Sequence, residues 1–178
     1  DLLLPGSLAW VARYFQKHPD VDAVYGQRVI VDDDDRQIGI WITPPHDDSM
    51  LGLSNVVPNE TLFWRRRVWE RVGGMDPSFR FALDWDFLLR LSQAGARIVR
   101  INRYVGAFRA HGAQKSQAQL AVGDAESDLL RERAHDRPMT WEEATARMRP
   151  YLRRHVVHHT AHRLLARLPI ARVELRWE

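Results

Sequence analysis

The sequence predicts an α/β protein in which a mixed unit of helices and strands is followed by an α-helical extension. Before residue 116, short runs with strand-like alternation or β-branched residues are separated by segments with helical spacing of apolar residues. From residue 117 onward the chain becomes rich in Arg and Ala and loses most of its strand signals. We therefore expect one unit over residues 1–116 and a helical extension over residues 117–178.

Periodicity and end signals place the elements of the first unit. Apolar residues recur at helical spacing after Pro5, and Pro19 ends this first helix. Residues 21–31 and 37–43 are typical of two hairpin strands, joined by the acidic turn at residues 32–35. The other predicted elements are a strand at 61–64, helices at 66–72 and 84–94, and strands at 96–101 and 104–108.

Two signals place helices in the extension. Thr140 and Glu143 form a capping box that is expected to open a helix. Pro150 is expected to start or kink a further helix, because proline cannot supply the backbone N–H that a helix interior requires. A strand-like pattern returns only at residues 172–177.

Composition excludes several classes of function. The 178 residues include no cysteine, which removes disulfides, thiolate zinc sites, iron–sulfur clusters and cysteine nucleophiles. No apolar run approaches the roughly 18–20 residues that span a bilayer, and the N-terminus lacks a secretory signal, so we expect a cytoplasmic protein. The net charge is only +3, which is weak support for a nucleic acid partner, and we expect none.

Two acidic residues at the start of a predicted helix are the strongest candidates for chemistry. Asp84 and Asp86 flank Trp85 and follow a loop that is able to present them to a cleft. One interpretation is structural, with Asp84 as the helix N-cap and Asp86 favoured by the helix dipole. The other is general-base catalysis, because a carboxylate that takes a proton from a hydroxyl must be held near it. The local sequence leaves both open.

Five short motifs in a particular order resemble the family-two glycosyltransferases of the GT-A fold. They are DLLLPGSL at residues 1–8, ETLFWRR at 60–66, VGGMD at 72–76, LDWDFLLR at 83–90 and FRAHGAQKS at 108–116. Each motif is weak alone, but their order and spacing make the resemblance specific over residues 1–119. The resemblance implies that residues 1–116 are the C-terminal, acceptor-side half of a GT-A (Rossmann-like) nucleotide-diphospho-sugar transferase fold.

The resemblance also implies roles for individual residues. Asp84 matches the base that deprotonates the acceptor hydroxyl for inversion at the anomeric carbon of the sugar. Leu83 departs from the family pattern, which often has Glu at this position. Asp1 and His111 match ligands of a Mg²⁺ or Mn²⁺ that bridges the donor diphosphate. The residues implied to contact substrate are Glu60, Thr61, Trp64, Trp85, Asp86 and Lys115, although Trp85 fits a core tryptophan equally well.

In this family a nucleotide-binding half precedes the position that Asp1 matches, so we expect that half to be missing here and the isolated chain to be inactive. The implied activity is inverting transfer of a sugar from a nucleotide-sugar donor to a hydroxyl acceptor, a glycan or a lipid-linked molecule, in polysaccharide biosynthesis. Two alternatives remain open. One is an Arg-rich module that binds nucleic acid, and the other is a catalytically inactive scaffold that binds a partner through the helical extension.

A group of histidines shares one face of a predicted helix in the extension. Its members are His155, His158, His159 and His162. Imidazoles one turn apart are able to hold zinc, and a basic amphipathic helix is able to rest on anionic lipid at the inner face of a membrane. The use we expect is a polar, basic face opposite the apolar residues Leu152, Val156 and Leu164.

Overall fold

A five-stranded mixed sheet organises the structure, a computed structural model that describes residues 1–110 and 120–165. The strands are β1 (Leu2–Leu3), β2 (Ala23–Val31), β3 (Gln37–Trp41), β4 (Leu62–Trp64) and β5 (Ile98–Arg109). Their order is β1-β5-β2-β3, and β4 also pairs with β2. β2 runs parallel to β5 and antiparallel to β3 and β4, while β1 runs antiparallel to β5. The α/β class and the predicted hairpin of β2 and β3 are confirmed.

Helices flank this sheet and continue into the extension. In the described residues they are α1 (Ser7–Lys17), α2 (Asp48–Leu51), α3 (Arg66–Val72), α4 (Leu83–Gln93), α5 (Leu120–His135) and α6 (Trp141–Leu165), with a 3₁₀ turn at Asn59–Thr61. The predicted helices in the first unit are confirmed to within two residues at each end. Thr140 Oγ1 accepts from the backbone N–H of Glu143 at 3.2 Å, as a capping residue does. Pro150 lies inside α6 rather than at the start of a further helix.

The predicted break between two strands at residues 102–103 is wrong, because β5 continues through it. Asn102 and Arg103 are polar and exposed, which made them resemble a turn. The amide of Gln27 in β2 donates to Asn102 Oδ1 at 2.5 Å, and β2 pairs with β5 on both sides of this point with shifts of register around Gln27. Pairing with β2 therefore overrides the local turn signal. The strand expected at residues 172–177 lies outside the described residues.

The extension packs against the first unit. The main core lies between the sheet and α4, where Tyr25, Phe87 and Leu88 are fully buried, and α5 adds Leu130 to it. A second cluster joins Met50 and Leu53, near α2, to residues of the extension: Met139, Ala144, Met148 and Tyr151. Since buried apolar side chains stabilise by roughly 1.5–3 kcal/mol each, these clusters hold α5 and α6 firmly in place. The division at residues 116 and 117 stays a prediction.

Candidate functional site

A cavity of about 700 Å³ opens beside the start of α4, and Asp84 lies in its wall. The loop after α2 contributes Asn55, α4 contributes Asp84 and Trp85, and the extension contributes further residues from α5 and α6. Binding sites for small molecules commonly have volumes of roughly 300–1,000 Å³. The structure thus places the predicted base in a cavity of suitable size.

Hydrogen bonds from Asn55 and from the backbone help to orient the carboxylate of Asp84, which is half-buried in the first turn of α4. Asn55 Nδ2 donates to its Oδ2 at 3.1 Å, and the backbone N–H of Trp85 donates to its Oδ1 at 2.8 Å. Asn55 is itself fixed, because its Oδ1 accepts from the backbone N–H of Val57 at 2.9 Å. A carboxylate held in this way on a helix meets the geometric requirement for a general base.

The expectation that Asp84 is the N-cap of α4 is wrong, because Ala82 occupies that position. Glu126 of α5 instead binds the turn before the helix. Its carboxylate accepts from the backbone N–H groups of Arg80, Phe81 and Ala82, each at 2.8 Å. A carboxylate is favourable beside a helix N-terminus, where the helix dipole is positive. Glu126 of the extension therefore holds this turn in place, and the Asp84 side chain lines the cavity instead of capping the helix.

The residues that follow Asp84 have structural partners. Trp85 is only 4% exposed and donates from Nε1 to the carbonyl oxygen of Leu51 at 2.6 Å, and it also lines the cavity. Asp86 is 5% exposed and accepts from Arg90 Nε at 2.8 Å. Arg90 also donates to the carbonyl oxygen of Val72 at 2.6 Å, which ties α4 to the end of α3. A substrate contact by Asp86 stays a prediction.

Asp1, Glu60 and Thr61 are brought to one part of the sheet, around β1 and the second half of β5. The 3₁₀ turn that contains Glu60 and Thr61 crosses closely over Gly106, where an added Cβ would lie 2.6 Å from the carbonyl oxygen of Glu60. Gly106 pairs with Leu3 of β1. Directly before β1, Asp1 Oδ1 accepts from the backbone N–H of Arg109 at 3.1 Å. The close approach of these segments depends on the missing side chain at Gly106.

Glu60 and Thr61 are bound within the protein. Glu60 Oε1 lies 3.2 Å from Arg28 Nη1, and the Arg28 guanidinium stacks over Trp41 at 4.3 Å from the ring centroid. Thr61 is fully buried, with Oγ1 within 2.9 Å of the carbonyl oxygen of Pro58. Trp64 packs in the core, 5.6 Å from Trp69 and 5.0 Å from Phe87 between ring centroids. Substrate contacts by Glu60, Thr61 and Trp64 stay predictions.

The predicted metal ligands are described only in part. Asp1 is exposed and offers a carboxylate, whereas His111 and Lys115 lie outside the described residues. Among the side chains that the structure describes, no three of His, Cys, Asp or Glu are grouped to hold a metal ion. The roles of Asp1 and His111 stay predictions based on the resemblance.

Sequence reasoning missed the wall of the cavity that comes from the extension. The residues of α5 that line it are Asp124, Ser127, Asp128 and Arg131, and α6 adds Trp141. The α5 residues follow the spacing i, i+3, i+4, i+7, so they form one polar stripe on a helix face. Arg131 is 6% exposed, which is unusual for a cation. A polar stripe at helical spacing was therefore the signal available in the sequence.

The described histidines of α6 lie on its more buried side, whereas the apolar residues opposite them are exposed. His155 and His159 are half-buried with stacked rings 6.0 Å apart, and Leu152 is exposed by 38%, Val156 by 61% and Leu164 by 59%. Met148 and Tyr151 anchor α6 on the segment near α2, which turns the His155 side inward. The side chains of His158 and His162 lie outside the described residues.

Contact of α6 with a membrane stays a prediction. Across the described parts of the chain, none of the helices has both the length and the apolarity needed to cross a bilayer. The exposed apolar side chains of α6 lie beside exposed Arg153 and Arg154, the combination that interfacial helices present to lipid. Zinc binding by the histidines likewise stays a prediction.

Comparison with known proteins does not assign a family. No family model matches the chain, and no curated protein is significantly similar to it. The resemblance to glycosyltransferases therefore depends on the ordered motifs, and the cavity at Asp84 is an independent observation to set beside them.

Proposed function

We propose that this chain is the acceptor-side part of an inverting glycosyltransferase of the GT-A fold. The observation that carries the proposal is the position of Asp84, which lies in the wall of a cavity of about 700 Å³ and is oriented by Asn55. The order of the motifs in the sequence supports the same function. The mixed sheet, with β2 parallel to β5, is compatible with the proposed fold.

In the proposed reaction Asp84 is the general base. A hydroxyl of the acceptor donates a hydrogen bond to the Asp84 carboxylate, which takes its proton as the oxygen attacks the anomeric carbon of the donor sugar. The new carbon–oxygen bond forms on the face opposite the diphosphate, so the anomeric configuration inverts. The bond between the anomeric carbon and the diphosphate breaks, and the nucleoside diphosphate leaves with its electron pair. A positioned base contributes roughly 10²–10⁴-fold to such a rate.

The residues around Asp84 serve this step by fixing its geometry. The bonds from Asn55 and from the Trp85 backbone hold the Asp84 carboxylate in place at the wall of the cavity. Glu126 holds the preceding turn, and Trp85 anchors the first turn of α4 to the carbonyl oxygen of Leu51. Preorganisation of this kind reduces the entropy that must be lost when the acceptor reacts.

A divalent cation belongs to the proposal on the strength of the resemblance alone. When bound by Asp1 and His111, Mg²⁺ or Mn²⁺ would supply positive charge to the diphosphate, and Lys115 would add a phosphate contact. We expect such an enzyme to act in the cytoplasm, at the inner face of a membrane if α6 binds lipid.

A transfer assay with analysis of stereochemistry tests the proposal. The protein is produced at the full length that its gene encodes, and it is incubated with nucleotide sugars, hydroxyl acceptors and Mn²⁺. We expect nucleoside diphosphate to be released together with a glycoside whose anomeric configuration, followed by NMR, is opposite to that of the donor. Retention of configuration, or release of nucleotide without a glycoside for every donor tested, would contradict the proposal.

A further inference from the structure

One side of helix α6 holds it against the rest of the protein. Ala144, Met148 and Tyr151 lie on this side and are buried in the cluster that joins the extension to the segment near α2. The hydroxyl of Tyr151 also donates to the carbonyl oxygen of Pro45 at 2.9 Å. These contacts fix the rotation of α6 about its own axis, so the side that faces away from the protein is defined.

The opposite side of α6 combines exposed apolar and basic side chains. Its residues, which we call the outer face, follow the helical spacing i, i+4, i+7, i+8 and i+15: Arg149, Arg153, Val156, Val157 and Leu164. With about 3.6 residues per turn, they point roughly opposite to Met148 and Tyr151. The two valines and the leucine are each more than half exposed, and both arginines are exposed. Helix α6 therefore has a second apolar side that does not pack in either core cluster.

This part of the helix is basic as well as apolar. From Ala144 to Leu165 the sequence contains five arginines and no Asp or Glu. Part of the charge is balanced from outside this stretch, because Arg147 lies 2.9 Å from Glu143 and Arg154 lines a small cavity together with Asp47. The cations that the outer face itself presents are Arg149 and Arg153.

A bilayer with anionic headgroups fits both properties of the outer face. Apolar side chains leave water when they enter the boundary between headgroups and acyl chains, and arginines beside them bind the lipid phosphates. Nucleic acid would use the arginines in the same way, but it would leave Val156, Val157 and Leu164 in water. The combination of exposed apolar and basic side chains therefore favours lipid.

We propose that the outer face of α6 lies on an anionic membrane surface and docks the protein there, with the Tyr151 side of the helix toward the protein. The helix lies in the plane of the interface and does not cross the bilayer, in agreement with its mixed composition. This docking goes beyond the proposed transferase activity and does not depend on it, because lipid binding is measured without sugar substrates.

Sedimentation with lipid vesicles tests the docking on the 178-residue chain. One set of vesicles is phosphatidylcholine alone, and the other contains about one third phosphatidylglycerol. We expect the affinity for the anionic vesicles to be higher by about tenfold or more, and to fall as salt is added, because salt screens the attraction between arginines and headgroups. Equal affinity for both sets, or binding to neither, would overturn the proposal.

Matched variants separate the apolar and the basic parts of the contact. Leu164→Ser is expected to weaken binding to anionic vesicles by about tenfold, and Arg153→Gln by about fivefold. The controls, Leu8→Ser and Arg13→Gln, replace exposed residues of α1 and should leave the affinity unchanged. Because all four positions are exposed, we expect every variant to fold. Test variants that bind as tightly as their controls would overturn the proposal.

A fluorescent probe reports which side of the protein meets the bilayer. The chain has no cysteine, so Val157→Cys and Leu8→Cys each provide a single attachment point for an environment-sensitive dye. On anionic vesicles we expect the emission of the dye at residue 157 to shift to shorter wavelength, since its surroundings become apolar, and the emission at residue 8 to stay unchanged. An emission at residue 157 that is already shifted without vesicles, or that vesicles do not shift, would overturn the proposal.

Binding to nucleic acid is the competing outcome, and DNA and RNA are titrated against the same variants. Nucleic acid binding that depends on Arg153 but not on Leu164, in a protein that vesicles do not bind, would overturn the proposal. Vesicle binding through the outer face, in a protein that fails the transfer assay, would support the docking and contradict the proposed function. Inverting transfer by a protein that does not bind anionic vesicles would do the reverse.

Discussion

The carboxylate of Glu126, in helix α5, accepts a hydrogen bond of 2.8 Å from the backbone N–H of Ala82, the residue that caps helix α4. The same carboxylate binds the N–H groups of Arg80 and Phe81, so a single side chain satisfies three backbone donors. Asp84 follows two residues after Ala82. The helical extension therefore helps to set the position of the proposed base.

Replacing Glu126 tests this connection. Glu126→Gln substitutes a donor NH₂ for one acceptor oxygen, so at least one backbone N–H loses its partner. We expect the free energy of unfolding, measured with urea, to fall by about 1–3 kcal/mol, and the amides of Phe81 and Ala82 to exchange faster with deuterium. Glu132→Gln, an exposed residue of the same helix, is the control. Equal stability in the two variants would show that the turn does not depend on Glu126.

A methyl group at Gly106 should separate the 3₁₀ turn from β5. The added Cβ would lie 2.6 Å from the carbonyl oxygen of Glu60, a backbone atom that cannot rotate away. We expect Gly106→Ala to lower the free energy of unfolding by about 1–3 kcal/mol, as overpacking does. Gly39→Ala in β3 is the matched control, because its nearest neighbour would lie at an ordinary 3.5 Å. Similar stabilities for both variants would exclude the close approach at Gly106.

Asp22 makes the stability of the folded protein depend on pH. Burial opposes its charge, but hydrogen bonds from the Arg97 backbone and the Arg67 side chain outweigh this and hold the pKa of Asp22 below its ordinary value of 3.8. A lowered pKa in the folded state stabilises the protein above the unfolded-state pKa, and this stability is lost as the pH falls through the folded-state pKa.

The corresponding variant is Asp22→Asn, which keeps the shape of the side chain and removes its charge. We expect it to unfold more easily than the wild type at pH 7, by about 1–3 kcal/mol, because a charged acceptor of bonds from Arg67 and Arg97 is lost. The difference should shrink once the pH falls below the ordinary pKa of 3.8. Urea unfolding across this pH range measures it, and a difference independent of pH would refute the assignment.

The predicted metal site is tested by titration with Mn²⁺ in the transfer assay. Asp1→Asn and His111→Ala should each raise the Mn²⁺ concentration needed for half-maximal rate by about tenfold or more, because each removes a proposed ligand. His18→Ala, at the C-terminal end of α1, is the control for loss of a histidine. A Mn²⁺ titration that is unchanged in both test variants would remove these residues from any metal site.

Local signals in the sequence predicted the parts of the fold that depend on near neighbours. The hairpin of β2 and β3 is joined by a short acidic turn, and α3 ends at Gly73, which adopts the left-handed conformation that glycine favours. The cap of α4 was not predictable in this way, because Glu126 lies 44 residues from Ala82 along the chain. Which side of α6 faces the protein likewise depends on a contact with a distant residue. The hydroxyl of Tyr151 donates to the carbonyl oxygen of Pro45.

The candidate site, like the fold, was predictable only where it depends on residues that are close together in the sequence. The motif around Asp84 identified the base candidate, since its position after a loop and at a helix start is a local property. The cavity could not be predicted from the sequence, because its walls come from distant segments of the chain. Asn55 precedes α4, whereas α5 and α6 follow β5. Only the packing of distant segments brings a polar stripe on one helix to the first turn of another.

The most direct test of the proposed function is the transfer rate of Asp84→Asn. The amide keeps the shape of the side chain and loses its basicity, so we expect the rate to fall by about 10²–10⁴-fold while calorimetry shows unchanged binding of the nucleotide sugar. Glu70→Gln, an exposed residue of α3, should leave the rate unchanged. An Asp84→Asn enzyme that keeps more than about a tenth of the wild-type rate would contradict the assignment of Asp84 as the base.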